Sequence, residues 1–544
     1  MKTNKILVIA ILFLSHCFFA QIPLLNSNPT STRVVYLDFD GQSVSGTAFN
    51  TSYSITTINA APSTMSSANI IQIWKRISED YRPFDVNITT DSTKFNSAII
   101  NFRIRIIITP TSSWYGTSAG GLAYFGSFNW GGNPGTPGWV FENLLLNNPK
   151  HIAESCSHEV GHSLSLKHQS TWTASPCSKT AEYNPGQGSG ITSWAPIMGV
   201  GYYKNVTIWH KGTNSTSCTF IQSDHGSIYP GISAGYLAFL PDDVGDTFSA
   251  AKTLNLNTVL VKDSGIITQP TDIDVYKFEI CTNRYITFDV KPWALDTSNY
   301  DAANLDVRFQ LFDAVNNSLA IDTPLTKLNT LVGLNLNAGS YYFTIDGGGS
   351  ANYSDYGSLG KYYVNVSSNN IPNIISAITS SSVACVGQAI NFTDASSGSP
   401  TAWTWMFPGA SPASSSLQNP STVYNTSGTY TVTLSASNGT LSSCSTTKSI
   451  IVGTCTNLEK DQDLSEAKWM IYPNPVIDHV TIETQEVNYS FEIISALGTL
   501  IYKQDNIKDH IINIKTDTWV KGIYFAKAIS ENKKQQVIMK LIIL

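Results

Sequence analysis

The segment from His158 to His168 holds three histidines and one glutamate at spacings that suit metal chemistry. An α-helix has about 3.6 residues per turn, so His158 and His162 lie one turn apart on one face and can bind the same cation. Zinc is a common partner of imidazole ligands. Glu159 lies beside the pair and can take a proton from a water molecule that the metal activates. The segment therefore predicts a site for metal-assisted hydrolysis.

The residues around this segment supply a helix to hold it. Asn148 can cap a helix, and Pro149 suits the first helical position. Ile152, Val160 and Leu164 then provide apolar positions that face a core. We therefore expect a helix that begins near Pro149 and carries the first two histidines.

Three further features resemble the metzincin clan of zinc peptidases, over roughly residues 30–240. His168 follows His162 by six residues, which is the metzincin spacing for a third ligand beyond a chain reversal. Pro196–Gly199 resembles the Met-turn beneath the zinc site of these enzymes. Gly120–Ser127 resembles the exposed edge strand on which they bind an extended substrate.

The resemblance implies a role for each residue of the site. His158, His162 and His168 would hold Zn2+. Glu159 would act as general base and then as proton donor to the leaving amine. Met198 would shape the floor beneath the metal. The fold implied for this segment is a mixed α/β domain.

Two positions depart from the metzincin pattern. Ser165 stands where the family has a glycine that reverses the chain with positive φ, so either Ser165 is strained or the turn differs. The family's tyrosine two residues after the methionine is absent, and Tyr202 and Tyr203 follow Met198 by four and five residues. We therefore assign neither tyrosine a role in polarising the scissile carbonyl.

Glu182 is a second candidate for the third ligand. Thermolysin-like enzymes use a glutamate from a second helix, and Glu182 lies twenty residues after His162. Residues 183–193, however, are turn formers without helical periodicity. A helical carboxylate ligand is not expected there, so we favour His168.

The length and composition of the chain indicate a secreted protein with several domains. Its 544 residues are too many for one hydrophobic core, and only 13% of them are charged. The net charge is −6, and removal of residues 1–20 with Lys2 and Lys5 makes it −8. Phosphate would repel such a chain and no basic patch is present, so we expect no nucleic-acid partner.

Residues 1–20 are predicted to be a signal peptide that is removed. Two lysines precede the apolar run Ile6–Leu14, which is too short to span a bilayer, and Ala20 is small enough for a cleavage point. Cys17 raises the alternative of a lipoprotein signal, but His16 is too large for the position before a lipidated cysteine. No other segment is long and apolar enough to cross a membrane.

Seven cysteines follow the signal peptide, an odd number in an oxidising compartment, so at least one is unpaired. A Cys177–Cys218 bond would close the region around the Met-turn, and a Cys385–Cys444 bond would staple a small β-domain. The connectivity stays open at this point. Cys156 lies two residues before the first histidine and should point away from the metal into a core.

The catalytic segment alternates strand and helix patterns. Val34–Leu37, Val86–Thr89 and Arg103–Ile108 are predicted strands. Ile70–Ile77 shows helical spacing of its apolar residues. We therefore expect a twisted sheet with a backing helix, followed by an edge strand and the active-site helix.

From about residue 241 the helical patterns vanish, and short strands alternate with turn residues as is typical of sandwiches. Residues 241–367 resemble a bacterial pre-peptidase C-terminal domain, through stretches such as Thr271–Phe278 and Asn337–Tyr342. Asp272 and Asp274 could bind structural Ca2+ through their oxygens. We favour the simpler interpretation, in which they accept hydrogen bonds within turns.

Residues 372–453 resemble a polycystic-kidney-disease (PKD) repeat, which is an immunoglobulin-like sandwich. Trp403, Trp405 and Phe407 alternate along one predicted strand, so they lie on one face and are expected to anchor the core. The likeness rests on Asn391–Asp394, Trp403–Phe407 and Gly428–Leu434. We expect a spacer domain.

Residues 454–468 are predicted to form a polar, charged linker. Residues 469–544 resemble the C-terminal sorting domain of type IX secretion, through Tyr472–Pro475 and Gly522–Tyr524. The resemblance implies the type IX secretion machinery as a partner, export across an outer membrane, and a secreted or cell-surface location.

The sequence as a whole predicts a multidomain protein in which an α/β metzincin-like catalytic domain is followed by three all-β sandwich domains. We expect a secreted zinc metalloendopeptidase that hydrolyses peptide bonds of extracellular proteins. The alternative is a catalytically degenerate peptidase fold that acts as a surface glycan- or protein-binding protein. A general base kept beside three ligands favours the enzyme.

Overall fold

The computed structural model describes residues 22–132, 135–228, 236–256, 258–369, 374–438, 443–454, 469–495, 499–530 and 536–543. The protein is multidomain and mostly β, and it divides into two compact units, Met1–Gly453 and Thr454–Leu544. The signal peptide predicted over residues 1–20 and nearly all of the linker predicted over residues 454–468 lie outside the described residues.

The first part of the chain, up to residue 240, contains all the α-helices of the described residues. They are α1 (Ala48–Tyr53), α2 (Ser67–Asp80), α3 (Ser92–Ser97), α4 (Pro149–Ser163) and α5 (Asp224–Ile228). Its strands are β1 (Val34–Asp38), β2 (Gln42–Val44), β3 (Ile58–Ala60), β4 (Asn87–Thr89), β5 (Arg103–Thr109), β6 (Gly121–Leu122), β7 (Gly138–Phe141), β8 (Thr171–Trp172), β9 (Lys179–Ala181), β10 (Trp194–Pro196), β11 (Val206–Ile208), β12 (Lys211–Thr213) and β13 (Ile221–Ser223).

A five-stranded sheet in the order β4-β1-β5-β7-β6 organises this part of the chain. The first four strands run parallel, and β6 lies antiparallel at one edge. Ile104, Ile106 and Ile108 alternate along β5, so all three enter one core, where they meet the apolar face of α2 and the buried face of α4. The strands and the helix predicted between Val34 and Ile108 are present.

Helix α4 begins as its sequence predicts. The side-chain oxygen of Asn148 accepts the backbone N–H groups of Lys150 and His151, at 2.9 and 3.4 Å, and Pro149 occupies the first turn. Cys156 is unpaired and fully buried on the core side of the helix, as expected for a residue that points away from the histidines. The helix is thus fixed both at its start and along its buried face.

The predicted edge strand Gly120–Ser127 is much shorter than expected. Only Gly121–Leu122 pairs with β7, and a 3-10 helix follows at Ser127–Asn129. Gly126 adopts φ 69°, and its N–H donates to the carbonyl of His162 at 3.0 Å. This bond turns the chain away from the sheet and toward α4, which ends the strand.

The second part of the chain, residues 241–369, is a β-sandwich. Its strands are β14 (Lys252–Leu254), β15 (Leu260–Ile267), β16 (Asp274–Ile280), β17 (Arg284–Pro292), β18 (Val307–Asp313), β19 (Ser318–Asp322), β20 (Thr330–Leu336), β21 (Gly339–Gly347) and β22 (Gly360–Ser368). The sheets β14-β16-β21-β18-β19 and β15-β22-β17-β20 enclose an aromatic core that includes Phe278, Phe288, Phe309 and Phe343.

Buried polar contacts join this sandwich to the end of helix α2. Asn304 donates to one oxygen of Asp80 at 2.8 Å, and the other oxygen of Asp80 accepts the Ser157 hydroxyl at 2.5 Å. The backbone N–H of Lys361 donates to Glu79 at 2.9 Å. Because Ser157 lies on α4 directly before His158, the sandwich contributes to the support of the histidine helix.

The third part, residues 374–454, is a smaller sandwich. Its strands are β23 (Ile378–Thr379), β24 (Val383–Cys385), β25 (Ala389–Asn391), β26 (Thr393–Asp394), β27 (Ala402–Met406), β28 (Ala410–Ser411), β29 (Ser414–Ser415), β30 (Ser421–Tyr424), β31 (Gly428–Ser437) and β32 (Thr446–Gly453). The main sheets are β24-β32-β31-β27-β29 and β25-β30-β28. Trp405 and Phe407 are fully buried and Trp403 is half-buried against the same core, as predicted.

The C-terminal unit is a separate β-domain. Its strands are β33 (Trp469–Tyr472), β34 (His479–Thr484), β35 (Tyr489–Ser495), β36 (Leu500–Ile507), β37 (Ile511–Lys515), β38 (Gly522–Ser530) and β39 (Gln536–Ile543). They form the sheets β33-β34-β37 and β36-β35-β38-β39 around a core of aliphatic and aromatic side chains.

Of the two predicted disulfides, Cys177–Cys218 is present, and the prediction of Cys385–Cys444 is wrong. Cys177 is bonded to Cys218, which closes the region around Met198. Cys444, however, is bonded to Cys281, and Cys385 is also disulfide-bonded. Cys281 follows strand β16 of the second part and Cys444 precedes β32 of the third, so only the packing of two domains brings them together. Spacing along the chain does not reveal such a pair.

Candidate active site

The structure brings the three predicted histidines together. One ring nitrogen from each of His158, His162 and His168 lies within 4.8 Å of the other two. The Nδ1 atom of His158 lies 2.9 Å from the carbonyl of Ile197, and that of His162 lies 2.7 Å from the carbonyl of Leu166. Since a carbonyl only accepts, both rings donate through Nδ1 and keep their Nε2 lone pairs free.

The arrangement of these lone pairs fits a cation. The Nε2 atoms of His162 and His168 lie 3.1 Å apart. Two ligands of a tetrahedral zinc, each roughly 2.0–2.1 Å from the metal, lie about 3.3 Å apart. Burial and the neighbouring rings hold the pKa of His158 well below its ordinary value, and burial and His168 lower the pKa of His162 to about 4. The rings of His158 and His162 are therefore neutral, which is the form that binds metal.

Glu159 is buried beside the histidines. Among the described residues no donor reaches its Oε2 atom, and burial raises the pKa of its carboxyl well above the ordinary value. Gly121 of strand β6 makes room for it, because a Cβ atom at Gly121 would lie 2.8 Å from Oε1 of Glu159. Burying a carboxylate oxygen without a hydrogen-bond donor costs free energy, unless a cation, a water or a substrate group binds to it.

Met198 lies directly beneath helix α4. Its side chain is fully buried, and a Cβ atom at Gly161 would come within 2.4 Å of its sulfur. The glycine between the first two histidines thus allows the methionine to pack against the helix backbone. The preceding residue, Ile197, supplies the carbonyl that holds the ring of His158.

Ser165 keeps the chain reversal that the family forms with glycine. Its φ is 69°, in the left-handed region, and its hydroxyl lies 2.7 Å from the hydroxyl of Tyr236. Of the two outcomes left open by the sequence, the structure shows the strained residue rather than a different turn. The reversal brings His168 back toward the helix.

Glu182 contacts His168 from the side away from the other two histidines. Its Oε1 atom lies 2.6 Å from Nδ1 of His168, and its Oε2 atom accepts from Lys179 at 2.6 Å. The carboxylate therefore occupies the position of a partner that orients a ligand rather than that of a ligand. No helix surrounds it, as predicted, since it follows strand β9 in an irregular segment.

Three tyrosines lie near the cluster. The Tyr183 ring lies 4.3 Å from the His168 ring and 5.9 Å from the His158 ring, measured between centroids. Tyr202 borders the adjacent pocket, and Tyr203 is 81% exposed. Tyr183 thus packs against two of the three histidine rings, and no feature of the sequence pointed to it.

A pocket of about 270 Å³ opens beside His158 and Glu159. Its lining includes Gly121 of strand β6, residues 199–202 of the segment that follows Met198, and Glu154 and Ser155, one turn before the first histidine. Glu154 was not among the residues predicted for the site, although helical periodicity places it on the same face as His158.

A second group of potential ligands lies in the first sandwich of the chain, which is formed by residues 241–369. One carboxylate oxygen from each of Asp242, Asp272 and Asp274 lies within 4.8 Å of the other two. Asp272 accepts the backbone and hydroxyl of Thr268 through Oδ2, and Asp274 accepts the hydroxyl of Tyr362. The Oδ1 atoms of Asp272 and Asp274 are buried without a donor among the described residues. The turn hydrogen bonds favoured from the sequence are present, yet they leave these oxygens unpaired.

Two family models match the later parts of the chain. Residues 369–452 match the PKD domain, and residues 470–544 match the secretion system C-terminal sorting domain. These matches confirm both resemblances inferred from the sequence.

The protein is exported. The sorting domain indicates type IX secretion and hence a secreted or cell-surface location, as predicted. Within the part of the chain that the structure describes, no helix has both the length and the apolar character needed to cross a membrane.

No curated protein matches the chain. Among solved structures, the chain is similar to the pre-peptidase C-terminal domain of a collagenase from Bacillus anthracis, with 19% identity over 23% of this chain and 99% of that domain and a TM-score of 0.16. PorZ of the Porphyromonas gingivalis type IX system is 17% identical over 21% of this chain and 15% of its own, with a TM-score of 0.13. Latent PorU from the same organism is 13% identical over 54% and 32%, with a TM-score of 0.12. These similarities are too low to carry a conclusion about activity.

Proposed function

We propose that this protein is a secreted, zinc-dependent endopeptidase of the metzincin type, which cleaves peptide bonds of extracellular proteins. The observation that carries the proposal is the convergence of three histidine rings beside a buried glutamate that has no donor on one oxygen. That donor set, with a pocket and a sheet edge beside it, matches what metal-assisted hydrolysis of an extended peptide needs.

His158, His162 and His168 would hold Zn2+ through their Nε2 atoms, and the carbonyl and carboxylate partners of their Nδ1 atoms would orient them. Zinc in such a site polarises a carbonyl and lowers the pKa of water toward about 7. Met198 would support the helix from below without touching the reacting atoms.

Glu159 would transfer a proton from the attacking water to the leaving amine. It accepts one from the attacking water and passes it to the nitrogen of the leaving amine when the peptide bond breaks. Burial raises the pKa of its carboxyl, and a cation bound beside it would favour the charged form that accepts the proton.

Strand β6 would position the substrate. It lies at the sheet edge with β7 on one side only, so its outer backbone groups are available to an extended peptide. Because Gly121 is in contact with Glu159, a peptide paired with this strand would pass the general base at short range. The short length of β6 limits this pairing to a few residues.

Digestion of casein or gelatin by the full secreted chain tests the proposal. We expect one zinc per chain, loss of activity with a chelator, and a loss of at least about 100-fold in Glu159→Gln, which keeps its zinc. Glu279→Gln removes an exposed acid of the first sandwich and serves as the matched control. Activity that persists in Glu159→Gln would overturn the mechanism, and an inactive, zinc-loaded protein would favour the binding-protein alternative.

We also propose that Asp242, Asp272 and Asp274 bind a structural Ca2+. Two buried carboxylate oxygens without donors, next to a third carboxylate, form the oxygen-only environment that Ca2+ prefers. Burial and the hydroxyl of Tyr362 act on Asp274 in opposite directions, and the pKa of its carboxyl is raised to about 9. A bound dication would relieve the repulsion among these acids.

A further inference from the structure

The lining of the pocket beside the histidines includes a second acidic group. Glu154 lies four residues before His158 on helix α4, about 6 Å along the helix axis. Its side chain faces the pocket, although the residue as a whole is only 7% exposed. A side chain that enters the pocket therefore meets a carboxylate one helical turn from His158.

One oxygen of Glu154 is held and the other is free for a ligand. The Thr207 hydroxyl donates to Oε1 at 3.0 Å. Among the described residues none is hydrogen-bonded to Oε2, which lies against Gly201, where a Cβ atom would come within 2.9 Å of it. The glycine leaves this oxygen open toward the pocket.

The cations nearest to Glu154 have other partners. Lys150 donates to the carbonyl of Lys204, and Arg76 forms an ion pair with Asp301. Neither comes within ion-pair distance of Glu154 among the described contacts. Burial raises the pKa of the Glu154 carboxyl, which Lys150 and Arg76 oppose only at a distance. A cation that brings its own hydrogen-bond donors would stabilise the charged form of such a buried carboxyl group.

The shape of the pocket suits a long, thin side chain. The lining includes four glycines, which carry no side chains, at Gly120, Gly121, Gly199 and Gly201. Its volume of about 270 Å³ exceeds that of several water molecules, each of which takes about 30 Å³. Lysine and arginine carry their charge at the end of a flexible stem of methylene groups, which could lie along these glycines.

We infer that Glu154 selects substrates with arginine or lysine immediately after the scissile bond. The inference rests on the proposed peptidase function and adds the substrate class to it. The side chain after the scissile bond of a peptide paired with β6 would enter the pocket, because Gly121 of that strand lines the pocket together with His158 and Glu159. Its charged end would pair with Oε2 of Glu154, while Thr207 holds the other oxygen.

The test uses the full zinc-loaded chain and quenched peptides that differ only in the residue after the cleaved bond, which is arginine, lysine, glutamine or leucine. We expect kcat/KM for the arginine and lysine peptides to exceed that for the leucine peptide by at least about tenfold. Glu154→Gln should lower this ratio by at least about tenfold, and Glu279→Gln should leave it unchanged. Mass spectrometry confirms the bond that is cut.

The ratio is measured within one enzyme, so it does not depend on the fraction of the variant that folds. If Glu154→Gln yields no folded protein, the profile of the unmodified chain still decides. Cleavage without a preference for basic residues, or a preference that survives Glu154→Gln, would overturn the inference and leave the peptidase function standing. Absence of cleavage of every peptide would overturn both.

Discussion

The Nδ1 atom of His168 lies 2.6 Å from Oε1 of Glu182, on the side of the ring opposite the other two histidines. Burial opposes ionisation of this carboxyl, but hydrogen bonds from Lys179 and His168 outweigh it and lower the pKa of Glu182. The glutamate is therefore charged at neutral pH. A charged acceptor at this position fixes both the orientation and the tautomer of the ring.

We predict that Glu182→Ala weakens zinc binding by about 10–100-fold without abolishing it, because the ring of His168 loses its orienting partner. Competition with a chromogenic chelator measures the affinity. Lys179→Met leaves the carboxylate in place and should have a smaller effect. If Glu182→Ala loses all zinc while His168→Ala retains it, Glu182 is the third ligand after all.

Ser165 allows the strain of the chain reversal to be measured. Ser165→Gly and Ser165→Ala both lose the hydroxyl that contacts Tyr236, but only glycine relieves the left-handed backbone at φ 69°. We predict that the glycine variant is more stable than the alanine variant by about 1 kcal/mol. Thermal unfolding of the two proteins side by side tests this, and equal stability would mean that the turn costs nothing.

Calcium should stabilise the first sandwich. At a concentration 100 times its Kd, a bound ion adds about 2.7 kcal/mol to the free energy of unfolding. We predict that Ca2+ raises the melting temperature of the unmodified chain and that Asp274→Asn abolishes the rise. Glu279→Gln should respond like the unmodified chain. A melting temperature that Ca2+ does not move would refute the site.

His225 should make the stability of the metal-free protein depend on pH. Its ring is stacked on Tyr356 at 4.3 Å, neither ring nitrogen has a partner among the described residues, and burial lowers its pKa to about 3. The unfolded chain takes up this proton near pH 6.5, whereas the folded chain does not until about pH 3. Folding is therefore favoured above pH 6.5 and loses stability as the pH falls toward 3.

The variant His225→Phe tests this dependence. From pH 6.5 to 5 the unmodified protein should lose about 2 kcal/mol through this residue, which is roughly 1.4 kcal/mol for each pH unit. The phenylalanine variant lacks that contribution and should show a correspondingly flatter profile of urea unfolding, with the chelator present in both samples. Identical profiles would show that His225 takes up its proton at the same pH in the folded and unfolded chain.

Local spacing explains which parts of the site the sequence could predict. His158, Glu159 and His162 share one helix, so the helical repeat alone places them, and the cap at Asn148 fixes where that helix starts. The third histidine follows after one chain reversal, and a strained backbone at Ser165 was one of the two alternatives that the sequence left open. These features depend on residues that are neighbours in the chain.

Contacts between distant segments explain what the sequence missed. Tyr183 reaches His168 through an irregular segment that has no periodic pattern, and the bond from Gly126 to the backbone of His162 shortens the edge strand. The pairing of Cys444 with Cys281 depends on how two domains pack. Glu154 is the exception, because its position one turn before His158 could have been found from the helical repeat.

The bond between Cys281 and Cys444 gives the two middle sandwiches a second covalent connection besides the backbone between Asn369 and Ile374. Hydrolysis of that stretch alone would leave the halves attached to each other. The two sandwiches would separate only after both cleavage of the backbone and reduction of the disulfide. In an oxidising environment the chain would therefore stay covalently connected after cleavage at this junction. Nicked protein would run as one band on a non-reducing gel and as two bands after thiol treatment.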